Sequence, residues 1–242
     1  MFSLYAPAPF LSLFIDDCIE NGMDYYSGGA RYNTTYIQCT GLGTITDCLA
    51  TLKKHVFEEH KYTMNKILKA CADNFEGEEK MRQYIRNRTP FFGNDDEYAD
   101  TIAVKVYDDL VATIEGRPNT RGGKTYLNML STTCHNYFGS VCGATPNGRL
   151  AHFAISDGTS PSHGSDSRGP TAVVKSLGKL DQSKSGGTLL NIRFTPALLK
   201  REEDLMKLAS LIRTYFKFGG HHIQFNIVDT ETLRTILDIG II

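Results

Sequence analysis

Five groups of residues have types or spacings that could do chemistry. Gly41 and Gly43 in CTGLGTITDCLATLKK lead into an amphipathic run, the position where backbone N–H groups at a helix start can hold a phosphate. The third glycine, the P-loop lysine and a well-spaced ribose-binding acid are missing, so a tight turn with close backbone packing is the favoured reading, with a nucleotide site as the alternative. Cys18, Cys39, Cys48, Cys71, Cys134 and Cys142 include no Cys-x-x-Cys pair, which argues for reduced thiols and against a zinc site or a disulfide framework. His221 and His222 are adjacent, so on a strand they would point to opposite faces and could not chelate one ion together. Asp95, Asp96 and Glu97 read as the acidic start of a helix. The loop DGTSPSHGSDSRGP carries hydroxyls, His163 and Arg168, enough for a polar binding wall or for an ordered structural loop.

The elements that must position these groups follow from periodicity. Leu11, Phe14, Ile15, Cys18 and Ile19 before Gly22 predict a helix over 10–21. Thr44 with Asp47 suggests a capping box, followed by Ile45, Leu49, Leu52 and Val56 on an inward face. A longer helix from Asp95 should turn Tyr98, Ile102, Val106, Leu110 and Ile114 inward, and another should run from Glu202 to Lys217. GGTLLNIRFT (186–195) and HHIQFNIV (221–228) read as strands bracketing that last helix, which makes the class mixed α/β. Two long stretches rich in Gly, Ser, Thr and Pro, 127–149 and 156–173, lie between these elements, and such loops inside a compact domain are often functional.

Composition narrows the function classes. Across 242 residues, 26 Lys and Arg nearly balance 27 Asp and Glu, so no basic field for nucleic acid is present. No apolar run approaches the roughly 20 residues of a membrane-spanning helix, and the first residues lack the basic flank of a signal peptide. No membrane association and a cytoplasmic location are expected. No internal repeat or flexible linker divides the chain.

The segments PAPFLSLFIDDCIENG, GGARYNTTYIQCTGLGTITDCLATLKKHVFEE, FGNDDEYADTIA, GRPNTRGG, FGSVCGATPNGRLA, SDGTSPSHGSDSRGPTAVVKSLGKLD, GGTLLNIRFTP and GGHHIQFNIVDTETLR together resemble the glycyl radical enzymes, on their dehydratase and pyruvate formate-lyase-like side. The likeness runs from about Ala6 to Arg234. It implies part of a ten-stranded α/β barrel around two opposed loops, one with a catalytic cysteine and one with a radical-bearing glycine. It also implies a radical S-adenosylmethionine activating enzyme as partner, a small-molecule substrate, and a homodimer for the intact enzyme. In the implied relay the glycyl radical oxidises the thiol, the thiyl takes hydrogen from substrate, and a leaving group is eliminated.

None of the six cysteines lies in the family's Gly-Cys-x-Glu loop, and ETLRTILDIGII contains no Arg-Val-x-Gly-Tyr motif. The resemblance therefore implies a barrel portion, residues 1–234, lacking the catalytic cysteine loop and the glycyl radical domain, with 235–242 departing from the family. No catalytic residue and no metal ligand is assigned. Ser160, Pro161, Ser162 and His163 are the expected lining of the substrate cavity. The implied activity is radical elimination of water, with 4-hydroxyproline, glycerol and other diols as candidate substrates, and the isolated chain is expected to be inactive. Formate acetyltransferase-like chemistry and a non-catalytic remnant or binding protein are the alternatives.

Overall fold

The structure is a computed structural model and describes residues 2–239. Four strands, β1 (Thr34–Gln38), β2 (Lys124–Asn128), β3 (Leu190–Phe194) and β4 (Ile223–Ile227), all run parallel. β1 pairs with β2 and β3 with β4, and a parallel bridge from Met129 to Thr188 joins the two ladders, so the order in space follows the order in sequence. Parallel neighbours need crossover connections, and helices supply them. Between β1 and β2 come α1 (Leu42–Leu52), α2 (Met64–Ala72), α3 (Glu79–Arg88) and α4 (Glu97–Ile114). After β2 come α5 (Cys134–Val141) and α6 (Pro170–Leu177), and α7 (Glu202–Lys217) crosses from β3 to β4 before α8 (Thr230–Asp238).

The larger core cluster joins residues from both halves of the chain: Leu42, Phe92, Ala103, Tyr107, Leu127, Val173, Leu190 and Tyr215. A smaller one gathers Ile67, Ala70, Phe75, Met81, Ile85 and Phe91 around α2 and α3. The two strands expected over 186–195 and 221–228 form, and α7 has the bounds its spacing predicts.

Three expectations are corrected. Instead of a helix over 10–21, only Pro9–Ser12 is helical; Asp17 takes φ 72°, which breaks the chain out of the right-handed region, and Leu11, Phe14 and Ile19 are exposed. The helix following Gly43 does not open with Thr44 as its cap: Gly41, at φ 90°, occupies that position with no side-chain cap, and α1 passes into a π-helical turn over Lys53–Glu58. Thr44 instead makes a reciprocal pair with Ser156, its N–H donating to Ser156 Oγ at 3.0 Å and its Oγ1 accepting the Ser156 N–H at 2.8 Å. That contact turns the small and polar side of α1 inward, burying Thr44, Asp47, Cys48 and Thr51 and leaving Ile45 at 44% and Leu49 at 38% exposure, while Leu52 and Val56 pack against the smaller core as expected. On α4 Ile114 is buried as expected, but the rest of the inward stripe is shifted by one position to Ala99, Ala103 and Tyr107, with Ile102, Val106 and Leu110 half-buried. Small Ala99 and Ala103 let this helix close on α1, which is its main helical neighbour.

The acidic start of α4 behaves as expected, with Asp96 accepting the Tyr98 N–H at 3.1 Å. Of the expected tail, residues 235–238 continue α8, Ile239 follows its end, and Gly240, Ile241 and Ile242 lie outside the described residues.

Candidate functional site

The loop 156–165 is almost wholly packed inside the protein despite its polar composition. Burying that much polar backbone requires partners, and the start of α1, Ser131 beyond β2, and Leu189 and Asn191 at β3 provide them. Ser156 C=O accepts from Gly41 N–H at 2.9 Å and from Thr40 Oγ1 at 3.0 Å. Thr159 donates through both N–H and Oγ1 to Leu189 C=O, at 3.0 and 2.9 Å, and Ser160 Oγ accepts the Asn191 N–H at 2.9 Å.

Two glycines make the close approach possible. A Cβ on Gly43 would lie 2.7 Å from Ser160 O and 2.8 Å from Ser162 N, and one on Gly93 would lie 2.2 Å from Pro161 Cγ. The Gly-x-Gly that resembled a phosphate cradle is thus filled by protein backbone, as the turn reading expected.

The loop walls an open cavity of about 710 Å³. Ser160, Pro161, Ser162 and His163 all line it, so the structure brings the four sequence-predicted residues together. Arg168 does not reach it; it donates to Asn94 C=O at 3.1 Å. Opposite stand Asn191 and Arg193 of β3 and Gln224 and Asn226 of β4, in paired register. Asp157 and His135 complete the polar wall. Asp157 accepts hydrogen bonds from Ser131 Oγ and Asn191 Nδ2, which tie it to the strand ends, and His135 Nδ1 stands 3.6 Å from its Oδ1. The His163 ring lies 6.1 Å from that of His135; partial desolvation first, then the neighbouring His135 and Arg193, hold its pKa below the usual imidazole value although one side of the residue is open to solvent.

Beneath the loop lies Asp47, fully buried, with Oδ1 accepting the Phe92 N–H at 2.8 Å. Burial pushes its pKa up to about 7 against the opposing effect of nearby Ser162, the Phe92 N–H and Arg86. Asp47 Oδ2 and Ser162 Oγ are close enough to influence one another, yet neither completes a well-aligned hydrogen bond.

Sequence reasoning missed Asp157, His135, Asn191, Arg193, Gln224 and Asn226. A signal for the strand residues was present. Parallel strands covered on both faces read as nearly continuous apolar runs, whereas Leu-Asn-Ile-Arg-Phe and Ile-Gln-Phe-Asn-Ile alternate. The alternation places polar side chains on the cavity face and leaves Leu190, Ile192, Ile223 and Phe225 to the core.

The remaining candidates stand elsewhere. His221 and His222 precede β4 and are exposed, so the expected strand position does not hold; the chain there is fixed through His222 C=O, which accepts from Leu190 N–H at 3.0 Å and Tyr215 Oη at 3.1 Å. Among the described residues no group of His, Cys, Asp and Glu is arranged to hold a metal, and no helix is long and apolar enough to cross a membrane. No cysteine is among the residues lining the large cavity. Burial raises the pKa of Cys48 to about 12 and of Cys71 to about 11, so neither is poised as a thiolate.

A parallel strand arc with crossover helices and a polar loop folded back into its cavity defines a portion of a glycyl radical enzyme barrel, and the comparisons agree. Structurally the chain is similar to hydroxyproline dehydratase from Clostridioides difficile with trans-4-hydroxy-L-proline bound, at TM-score 0.93 and 48% identity over 98% of this chain and 30% of that one. It is also similar to the glycerol-bound B12-independent glycerol dehydratase from Clostridium butyricum, at TM-score 0.91 and 38% identity over 98% of this chain and 30% of that one. In sequence it is 50% identical over 229 residues to the trans-4-hydroxy-L-proline dehydratase of C. difficile, covering 95% of this chain and 29% of that protein. The family model described as pyruvate formate lyase-like matches residues 1–139, and one described as glycine radical matches 155–237. The chain belongs to the pyruvate formate lyase-like family and spans about 29% of the length of the curated relatives it matches. The glycine radical match covers the cavity loop, β3, β4 and most of α8, and no Arg-Val-x-Gly-Tyr motif occurs in the 242 residues.

Proposed function

We propose that residues 1–234 act as one barrel portion of a glycyl radical dehydratase whose substrate is a small hydroxylated molecule of the 4-hydroxyproline kind. One observation carries this reading: the chain is 48% identical to a hydroxyproline dehydratase with its substrate bound and matches it at TM-score 0.93. The polar cavity supports it. Ser160, Ser162, His163, Asn191, Gln224 and Asn226 offer donors and acceptors to hydroxyl, amine and carboxylate groups, Arg193 offers a cation, and apolar Pro161 and Leu189 shape the wall. Asp157, with His135 Nδ1 3.6 Å from its Oδ1, adds a carboxylate and an imidazole to a wall fixed by Ser131 and Asn191.

The residues described do not by themselves accommodate the radical relay, because no cysteine faces the cavity. In this proposal the thiol loop and the radical glycine motif come from polypeptide other than these residues, the radical is installed by a radical S-adenosylmethionine activating enzyme, and the intact enzyme is a homodimer in the cytoplasm.

A chimera tests the reading. These 234 residues replace the matching segment of the C. difficile relative, and the product is activated anaerobically with that relative's activating enzyme. A glycyl radical doublet by electron paramagnetic resonance together with dehydration of trans-4-hydroxy-L-proline is expected, and the 242-residue chain alone should give neither. A chimera that forms the doublet but leaves hydroxyproline untouched would refute the substrate assignment.

A further inference from the structure

On the far side of the cavity loop lies a second cavity of about 480 Å³, walled by Arg82 and Arg86 of α3, Thr44 of α1, the Asn147–Leu150 turn, and Ser162 and His163. Its lining contains three arginines and no carboxylate. Two of these arginines are committed. Arg149 is buried and donates to Leu150 C=O at 3.1 Å, to Phe153 C=O at 2.6 Å and to Gly143 C=O, which leaves it as a structural strut. Arg82 is held by Glu79 at 2.8 and 3.0 Å and reaches Gly148 C=O at 3.2 Å.

Arg86 is different. Its guanidinium makes one long contact, to Gly164 C=O at 3.5 Å, and no ion pair among the described residues. Arg86 acts through space to lower the pKa of Asp47, but that carboxyl lies beneath the floor, fully buried. The arginine stems are seated side by side by Gly148, at φ +82°, where a Cβ would come within 3.0 Å of Arg86 Cγ and 3.3 Å of Arg82 Cγ. A second polar group stands in the same wall: Ser162 Oγ is buried, at 7% exposure for the residue, and lies near Asp47 Oδ2 without completing a well-aligned hydrogen bond. A half-buried guanidinium whose fork is nearly unused and a buried hydroxyl that completes no aligned hydrogen bond are complementary to one kind of ligand, because an oxyanion accepts from both at once.

We propose that this cavity is a binding site for a small oxyanion, a carboxylate or a phosphate, held by the Arg86 guanidinium and Ser162 Oγ. Since Ser162 and His163 line both cavities, an anion bound here braces the back of the loop that walls the larger one. The proposal stands independently of the hydroxyproline assignment.

The test uses the 242-residue chain labelled with 15N, observed through its arginine Nε–Hε resonances. Inorganic phosphate and acetate are titrated in separate arms against sodium chloride at matched ionic strength, which separates the two oxyanions from each other and both from plain screening. Saturable shifts of the Arg86 signal with at least one oxyanion are expected. R86Q should weaken binding at least about tenfold, the loss of a hydrogen bond to a charged group, while R213Q, at an exposed arginine of α7, should leave it unchanged. R86K keeps the charge and most of the stem, so it serves if R86Q does not fold, and it should weaken binding several-fold because the fork is lost. Equal shifts with chloride, or undiminished binding in both Arg86 variants, would overturn the proposal.

Discussion

Asp47 shows how a single side chain acquires its character from its surroundings. As a residue of an amphipathic helix it should be solvated, but the Thr44 and Ser156 exchange rotates it under the cavity loop. Its folded pKa is about 7 against 3.8 for the free side chain, so between those values the folded state binds more protons than the unfolded one. Stability contributed by the neutral carboxyl is therefore complete below pH 3.8 and lost as pH rises to 7, by at most roughly 4 kcal/mol at ~1.4 kcal/mol for each pKa unit. D47N keeps an acceptor for the Phe92 N–H and removes the titration. Urea unfolding from pH 4 to pH 8 should show a falling midpoint in the native chain and a flatter profile in D47N, and parallel profiles would exclude the burial argument.

At the scale of elements, the contact between α1 and the cavity loop is the joint on which the site depends. Gly43 permits it by leaving room for the backbone of Ser160 and Ser162. Adding one methyl there forces either the helix or the loop to move, at a cost of about 1–3 kcal/mol. G43A should accordingly lower the urea midpoint, whereas G143A, where a Cβ meets nothing within 4 Å, serves as the control and should not. Indistinguishable midpoints for the two variants would show that the approach is looser than drawn. The same joint explains why the first half of the expected inward face of α1 does not hold: hydrophobic periodicity selects Ile45 and Leu49, but hydrogen bonds to a buried polar loop select the opposite side there, while Leu52 and Val56 further on pack against the smaller core.

For the molecule as a whole, the strand arc leaves β1 and β4 with one ladder partner each among the described strands. Apolar side chains also stand exposed on its helices, among them Leu205 at 51% and Met206 at 60% on α7, and Leu237 at 63% on α8. Edges and apolar faces of this kind favour pairing with further chain. Sedimentation velocity across a concentration series should reveal self-association of the 242-residue chain; a single monomeric species throughout would argue that these surfaces are tolerated by water. In the chimera the same surfaces are expected to be covered, and its association should then be that of the parent enzyme.

The sequence by itself determined the α/β class, the two strands that bracket α7 and the family likeness, because local periodicity and motif order are written along the chain; it also pointed to Ser160, Pro161, Ser162 and His163, which stand along the larger cavity. The alternation in β3 and β4 was also legible, as a polar face on strands that otherwise read as buried. Only the tertiary structure decided that Asp157, His135 and Asn191 meet, that Asp47 lies beneath Ser162, and that Arg86 has no counter-ion among the described residues. Those relations depend on contacts between residues tens of positions apart. Burial and hydrogen bonding set them in three dimensions, and spacing along one chain carries no record of either.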